Sequence, residues 1–234
     1  MLSTESLSPR IQQASDHSFM VFFGEGISRL HHRNVAHLFR LLQQQPNRAT
    51  SNVHPAYSSV LITFDPLCTH PHEFGSYVRM LVDQLDAVED SAPRVIEVPV
   101  CYDRSLGPDL EFVAQHNRLT IEEVVRHHCS AEYFVYFIGF SPGFPYLGGM
   151  PEVIAAPRLA TPRVRVPAGS VAIGGSQTGI YPVSSPGGWR MIGRTPIKLF
   201  DLGLSPPTVL EMGDLVTFRP IVLQEYLDLA GGDA

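Results

Sequence analysis

The spacing of apolar residues changes several times along the chain, and each change marks an element. Phe19 to Phe23 (FMVFF) is a continuous apolar run closed by Gly24, the pattern of a buried strand. Ile27, Leu30, Val35, Leu38, Leu41 and Leu42 then recur at helical spacing, and Pro46 ends that helix. Ser58 to Phe64 (SSVLITF) predicts a second strand, stopped by Asp65-Pro66. Phe74, Tyr77, Val78, Leu81, Val82 and Leu85 line up on one face of a second helix. Val95 to Tyr102 (VIEVPVCY) reads as a strand. Pro99 has no N–H to give to a ladder and so places that strand at an edge or a bulge. Residues 1–15 are polar and read as a flexible leader. The strand–helix alternation over residues 16–104 predicts a small α+β sandwich with its helices on one face of the sheet.

Beyond residue 105 the pattern shifts. Two short helices are predicted: Asp109 is placed to cap the first, and Thr120 with Glu123 forms a T-x-x-E capping box for the second, which turns Val124 and Val125 inward. Tyr133 to Phe140 (YFVYFIGF) is a buried strand. From Arg163 onward short strands alternate with turn signals, which indicates a β-barrel or sandwich-like domain over residues 105–230. The closing AGGDA reads as a frayed tail.

Bulk properties narrow the partners. With 234 residues and 44% hydrophobic content the chain can build two cored domains. A net charge of −6 without a basic block argues against nucleic acid. Lys198 is the sole lysine, so the remaining fixed positive charge is arginine, which favours planar, bidentate contacts to carboxylate or phosphate. Cys68, Cys101 and Cys129 are odd in number and widely spaced, so neither a disulfide framework nor a zinc site is expected. No apolar stretch resembles a signal peptide or a membrane span, and the expectation is a soluble cytoplasmic protein with no membrane partner.

The chain is organised around Gly139 to Pro196, where glycine and proline recur every few residues with aromatic, amide and Arg side chains between them. Such a stretch excludes long helices and predicts a surface built from turns, the usual setting of a binding site. Gly139-Phe140-Ser141-Pro142-Gly143 matches the G-x-S-x-G nucleophile elbow. The match fails chemically, because Pro142 removes the N–H an oxyanion hole needs and no helix can follow the serine. Gly174, Gly175 and Gly179 lack a following Gly-Lys-Ser/Thr and read as a bulge or tight turn, with an anion-binding nest of backbone N–H groups as the alternative. Ten histidines complete no three-ligand spacing, so no metal site is expected, and His37 is read on an exposed flank of the first helix with Arg33 and Arg40. His128, at the end of a helix and just before the strand that feeds the glycine-rich stretch, is the candidate proton carrier. Arg163 and Arg165 fall on the same side of an alternating strand and make a candidate anion clamp, with Arg190 and Arg194 flanking the same stretch.

Four ordered motifs carry a family resemblance: GF-x-PGF-x-YL (Gly139 to Leu147), PR-x-x-VPAGSV (Pro162 to Val171), G-x-QTG-x-YP (Gly175 to Pro182) and SPGGW-x-x-IGRTP (Ser185 to Pro196). The chain resembles the B subunit of the bacterial ATP-dependent 5-oxoprolinases over most of residues 16–220. The wider family, in older naming allophanate hydrolase subunit 1, includes an inhibitor of a sporulation sensor histidine kinase and one half of the carboxyltransferase part of urea carboxylase. The resemblance implies a ferredoxin-like α+β domain followed by a cyclophilin-like β-barrel. It implies two partner chains, the C and A subunits, and ATP bound at a site shared with a partner, in a reaction that opens 5-oxoproline to L-glutamate.

On that expectation the glycine-rich stretch forms one wall of a cleft completed by the C subunit. Arg163, Arg165 and Arg194 would bind phosphate or the substrate carboxylate, and Gln177 and Thr178 would hydrogen-bond a lactam or urea-like group. Phe140, Phe144, Tyr146, Gly169, Ser170, Tyr181, Gly187, Gly188 and Trp189 would line the cleft, with the aromatic rings excluding water. Two rival readings share the motifs: a regulatory protein that docks on a histidine kinase, and a carboxyltransferase half served by a separate biotin carrier.

Overall fold

The computed structural model describes residues 8–231, and the chain divides into two compact units between Ala92 and Pro93. In the first, strands β1 (Arg10–Ser15), β2 (Ser18–Phe22), β3 (Thr50–Pro55) and β4 (Ser59–Phe64) form an antiparallel sheet in the order β1-β2-β4-β3. Helices α1 (Arg29–Gln44) and α2 (Pro71–Val82) bury one side of it. The strands alternate buried and open positions, so Phe19 and Val21 of β2 and Val60, Ile62 and Phe64 of β4 share one core with Val35, Leu38, Phe74, Val78 and Leu81. Phe64 and Phe74 stack at its centre, with ring centroids 4.6 Å apart.

Three expectations for this unit change. Residues 10–15 of the predicted leader are an edge strand, whose polar RIQQAS sequence is acceptable because both of its faces are largely solvated. Residues 1–7 of that leader, and 232–234 of the predicted frayed tail, lie outside the described residues. Helix α1 begins at Arg29 with the Ser28 hydroxyl accepting from the Leu30 N–H, so Ile27 precedes the helix, and both it and Leu30 are exposed. His37 is buried rather than on an exposed flank: Nδ1 faces the Leu85 carbonyl at 3.1 Å and Nε2 faces Asp90 at 2.9 Å.

The second unit is a closed seven-stranded barrel in the order β10-β7-β6-β13-β5-β12-β9. Its elements in chain order are β5 (Val95–Cys101), α3 (Leu110–Asn117), α4 (Ile121–Ser130), β6 (Glu132–Ile138), β7 (Pro145–Gly148), β8 (Arg163–Val166), β9 (Ser170–Gly174), β10 (Gln177–Ile180), β11 (Ser185–Gly187), β12 (Arg190–Arg194), β13 (Leu215–Ile221) and α5 (Leu223–Gly231). Strands β8 and β11 stand apart as a two-stranded flap. The predicted third strand of the first unit, β5, is a barrel stave here, parallel to β13 along its whole length. The division of the chain therefore lies ahead of the expected boundary near residue 105. A closed barrel has no free edge for Pro99. Strand β5, however, meets β12 only at Cys101, so Pro99 lies on a stretch with no β12 partner. The core is mainly aliphatic, from Val98, Val100, Val135, Leu147, Val171, Ile173, Ile180, Ile192 and Val216, with Tyr133 and Phe218 among them. The Thr120–Glu123 capping box forms in both directions and starts α4 as expected.

Candidate functional site

Residues of all four motifs, Phe144, Val166, Tyr181 and Trp189, meet in one cluster. Phe144 lies at the centre of an aromatic cluster separate from the main core, with ring centroids of Tyr146, Phe140, Tyr181 and Trp189 at 5.4, 5.5, 5.5 and 5.8 Å, all edge-on. The rings lie flat against strand backbone, and this is why the stretch needs glycine. A Cβ on Gly174 would fall 2.6 Å from the Trp189 ring, and one on Gly187 would overlap the Tyr181 phenol. Gly174→Ala is therefore expected to displace the indole at a cost of about 1–3 kcal/mol, read as a lowered urea midpoint and a shifted emission of Trp189. Of the predicted wall residues, Phe144, Tyr181 and Trp189 are buried, as are Gly169 and Ser170 in the barrel behind them. Tyr146, Gly187 and Gly188 are half-buried. Phe140 alone projects: it is 68% exposed, in a left-handed conformation with φ 65°.

The Phe140–Gly143 loop runs into strand β7, not into a helix, which removes the elbow geometry from Ser141. Gly175 and Ser176 form the two-residue turn of the β9–β10 hairpin, Gly174 pairing with Gln177 and Gly175 at φ 69°. Among the described residues no group of three or more His, Cys, Asp or Glu side chains is placed to hold a metal ion. No helix there is long and apolar enough to cross a membrane.

His128 is not at the surface. It is 0% exposed and its ring stacks on Phe218 with centroids 4.4 Å apart. The Thr178 hydroxyl donates to the Ala172 carbonyl at 3.1 Å, so it accepts from His128 Nε2–H at 2.9 Å, and Nδ1 accepts from the Tyr102 hydroxyl at 2.7 Å. Both nitrogens are used by a neutral ring, and burial pushes its pKa down to about 3. Burial likewise raises the Tyr102 and Cys129 pKa values, the Cys129 thiol lying 3.4 Å from the Tyr102 oxygen. A ring held neutral and sealed from solvent does not carry protons to a substrate. His128 and Thr178 form an internal strut that fastens α4 to β10, and the proton-carrier and substrate-binding roles expected for them are withdrawn.

The arginines also separate. Arg163 pairs with Asp109, Nη2 donating to Oδ1 at 3.0 Å while Nη1 lies 2.8 Å from Oδ2 as an ion-pair contact without hydrogen-bond geometry, so it is already occupied. Arg190 lies 3.7 Å from the same carboxylate, with its guanidinium 3.6 Å above the Phe112 ring. The Asp109 side chain makes no capping bond to α3, contrary to expectation, and accepts instead from the Met191 N–H at 2.8 Å. Nothing in the spacing of Gly-Pro-Asp-Leu signals that role. Arg165 is exposed and bound only through Nε to the Ser184 hydroxyl at 3.1 Å among the described residues. Arg194 gives Nε to the Ala168 carbonyl at 2.7 Å. Gln177 is half-buried at the start of β10, and Arg158 lies 5.6 Å from the centre of the Trp189 ring. Among these arginines, Arg158 is the one that lies against the aromatic floor. Open recesses lined by Arg40, Leu41, Gln84 and Val88 in the first unit, and by Ile121, Val125, Cys129 and Pro220 in the second, contain no motif residue.

Residues 9–210 match the family described as carboxyltransferase domain, subdomain C and D, and the chain belongs to that family. The resemblance read from the four motifs therefore holds at the family level. The 5-oxoprolinase B subunit of Bacillus subtilis (strain 168) is 41% identical over 227 residues, covering 93% of this chain and 95% of the relative. That of Haemophilus influenzae is 54% identical over 162 residues, or 69% and 72% of the two chains. Among solved structures, the urea amidolyase of K. lactis superposes with a TM-score of 0.76 over 97% of this chain and 16% of its own, at 21% identity, a likeness of fold.

Proposed function

We propose that the chain is the B subunit of an ATP-dependent 5-oxoprolinase, a component that acts with partner subunits to open 5-oxoproline to L-glutamate. The observation that carries this reading is the end-to-end match to a protein of that name at 41% identity, with all four motifs in this chain. In this reading the first unit is ferredoxin-like, with β1 in the position of the last strand of that fold, and the barrel is cyclophilin-like. The amide resonance of the lactam makes its carbonyl a poor electrophile, and ATP would supply the phosphoryl group that activates its oxygen. This chain has no Walker loop, and Lys198 is held by Asp201 at 2.7 Å, so its residues fit one wall of a nucleotide site and no more. Arg165 and Arg194 hold an anionic group, phosphate or carboxylate, against the aromatic floor. Gln177 hydrogen-bonds the amide, and Phe140 sits at the rim where a partner chain closes the cleft. With water excluded, each of these contacts gains strength.

The test is reconstitution with the C and A subunits of the same organism and measurement of 5-oxoproline-dependent ATP hydrolysis. Arg165→Ala is expected to lower kcat/KM by about 10–100-fold, the loss of one charge-assisted contact. Unchanged turnover in that variant removes the anion-binding role. Absence of oxoproline-dependent turnover in the reconstituted wild type removes the reaction itself. Inhibition of a sensor histidine kinase by the isolated chain, or carboxyl transfer from a biotin carrier, would then identify which rival applies.

A further inference from the structure

Asp109 stands at the junction of three elements. It begins α3, yet its carboxylate is turned away from the helix and is only 8% exposed. Its Oδ2 accepts from the backbone N–H of Met191 in β12, and the Asp109 N–H donates to the Met191 carbonyl at 2.9 Å, so the residue is stitched to the barrel wall in both directions. The rest of the carboxylate faces the flap, where it accepts from Arg163 Nη2 and lies within ion-pair distance of Nη1. Arg190 approaches the same carboxylate, is steadied by the Phe112 face, and gives Nε to the Pro157 carbonyl at 3.2 Å.

We infer that Asp109 is a positioning residue that holds the β8–β11 flap against the barrel through Arg163, and thereby aims Arg165 at the anionic group of the ligand. The far end of the flap is held by Val166, fully buried in the cluster with Phe144, Tyr181 and Trp189, so the ion pair is what fixes its near end. Strand β8 pairs only with β11, and that ladder is irregular between Ser185 and Gly187. Val164 is 89% exposed and contributes no buried apolar surface. Arg163 and Arg165 alternate with Val164 on a four-residue strand, so an ion pair at the first sets the direction of the second. The charge balance fits the same role. One carboxylate neutralises one of two guanidinium groups, and the remaining positive charge, with Arg158 and Arg165 nearby in the chain, favours a carboxylate or phosphate ligand.

The flap's own arginines make the test direct, because trypsin cleaves after Arg163 and Arg165 once β8 detaches. Asp109→Asn in the full chain keeps the size of the side chain and removes its charge. It is expected to speed cleavage after Arg165 by about tenfold or more, as loss of a charge-assisted pair raises the open population. Cleavage before residue 92 should stay at the wild-type rate. Arg163→Gln should give the same acceleration, and the double variant no more than either single one. Wild-type cleavage rates in Asp109→Asn overturn the inference. So does faster cleavage throughout the chain, which would make Asp109 a support of the fold at large, and so does full additivity of the two variants. A second arm rests on the oxoprolinase reading: in the reconstituted complex Asp109→Asn should raise the KM for 5-oxoproline or ATP several-fold more than it lowers kcat. If the trypsin result appears and the wild-type complex turns over no oxoproline, the positioning role stands and the reaction assignment falls.

Discussion

His128→Ala is expected to lower the stability of the barrel unit by about 3–5 kcal/mol. The substitution opens a cavity under Phe218, strips the partly buried Tyr102 hydroxyl of its acceptor, and leaves the buried Thr178 oxygen without its donor. The wild-type residue also brings a pH signature of known sign. The folded protein keeps the imidazole neutral down to about pH 3, whereas the unfolded chain takes up its proton near 6.5. Between those values the unfolded state binds more protons, so this contribution is complete above pH 6.5 and is lost as the pH falls. From pH 7 to pH 5 the loss is about 2 kcal/mol, roughly 1.4 kcal/mol per pH unit once below 6.5. Urea unfolding at the two pH values, followed by the single tryptophan, Trp189, measures both effects. His128→Ala should unfold earlier at pH 7 and lose that part of the pH dependence. A variant as pH-sensitive as the wild type would show that His128 is not held neutral.

Phe144→Ala is the second large effect, again about 3–5 kcal/mol. The ring is 3% exposed and meets four other aromatic rings edge-on, so its removal leaves a void that the flat glycine backbone cannot fill. Trp189 emission should shift to the red as water enters beside the indole, and the reconstituted activity should fall with it. A midpoint change worth less than about 1 kcal/mol would mean that the cluster repacks, and that the rings are interchangeable filler rather than a shaped floor.

Both variants lie where the sequence is only partly legible, and the reasons differ. Phe144 is legible as part of an aromatic, glycine-rich surface, because glycine at that density has few uses other than turns and close approach. Its burial is not, since exposure of a ring depends on which strands come to lie beside it. His128 carries the opposite difficulty. A histidine at a helix end beside a glycine-rich stretch has the composition of a catalytic group, and only the position of Thr178, fifty residues away in the chain, turns it into a neutral strut. Arg163 likewise reads as a free clamp until Asp109, 54 residues earlier, is seen to occupy it.

The sequence by itself determined the local matters: the amphipathic helices, the Thr120–Glu123 box, the turns, the absence of an elbow at Ser141, and, through four spaced motifs, membership of the family. Each of these rests on residues within a few positions of one another, where periodicity and backbone chemistry decide. Tertiary structure alone decided which unit β5 joins, that residues 10–15 form an edge strand, and which arginines remain available to a ligand. Strand pairing and ion pairing join residues that are distant in the chain. A carboxylate, a guanidinium or a strand edge carries no mark in the sequence of the partner that will satisfy it.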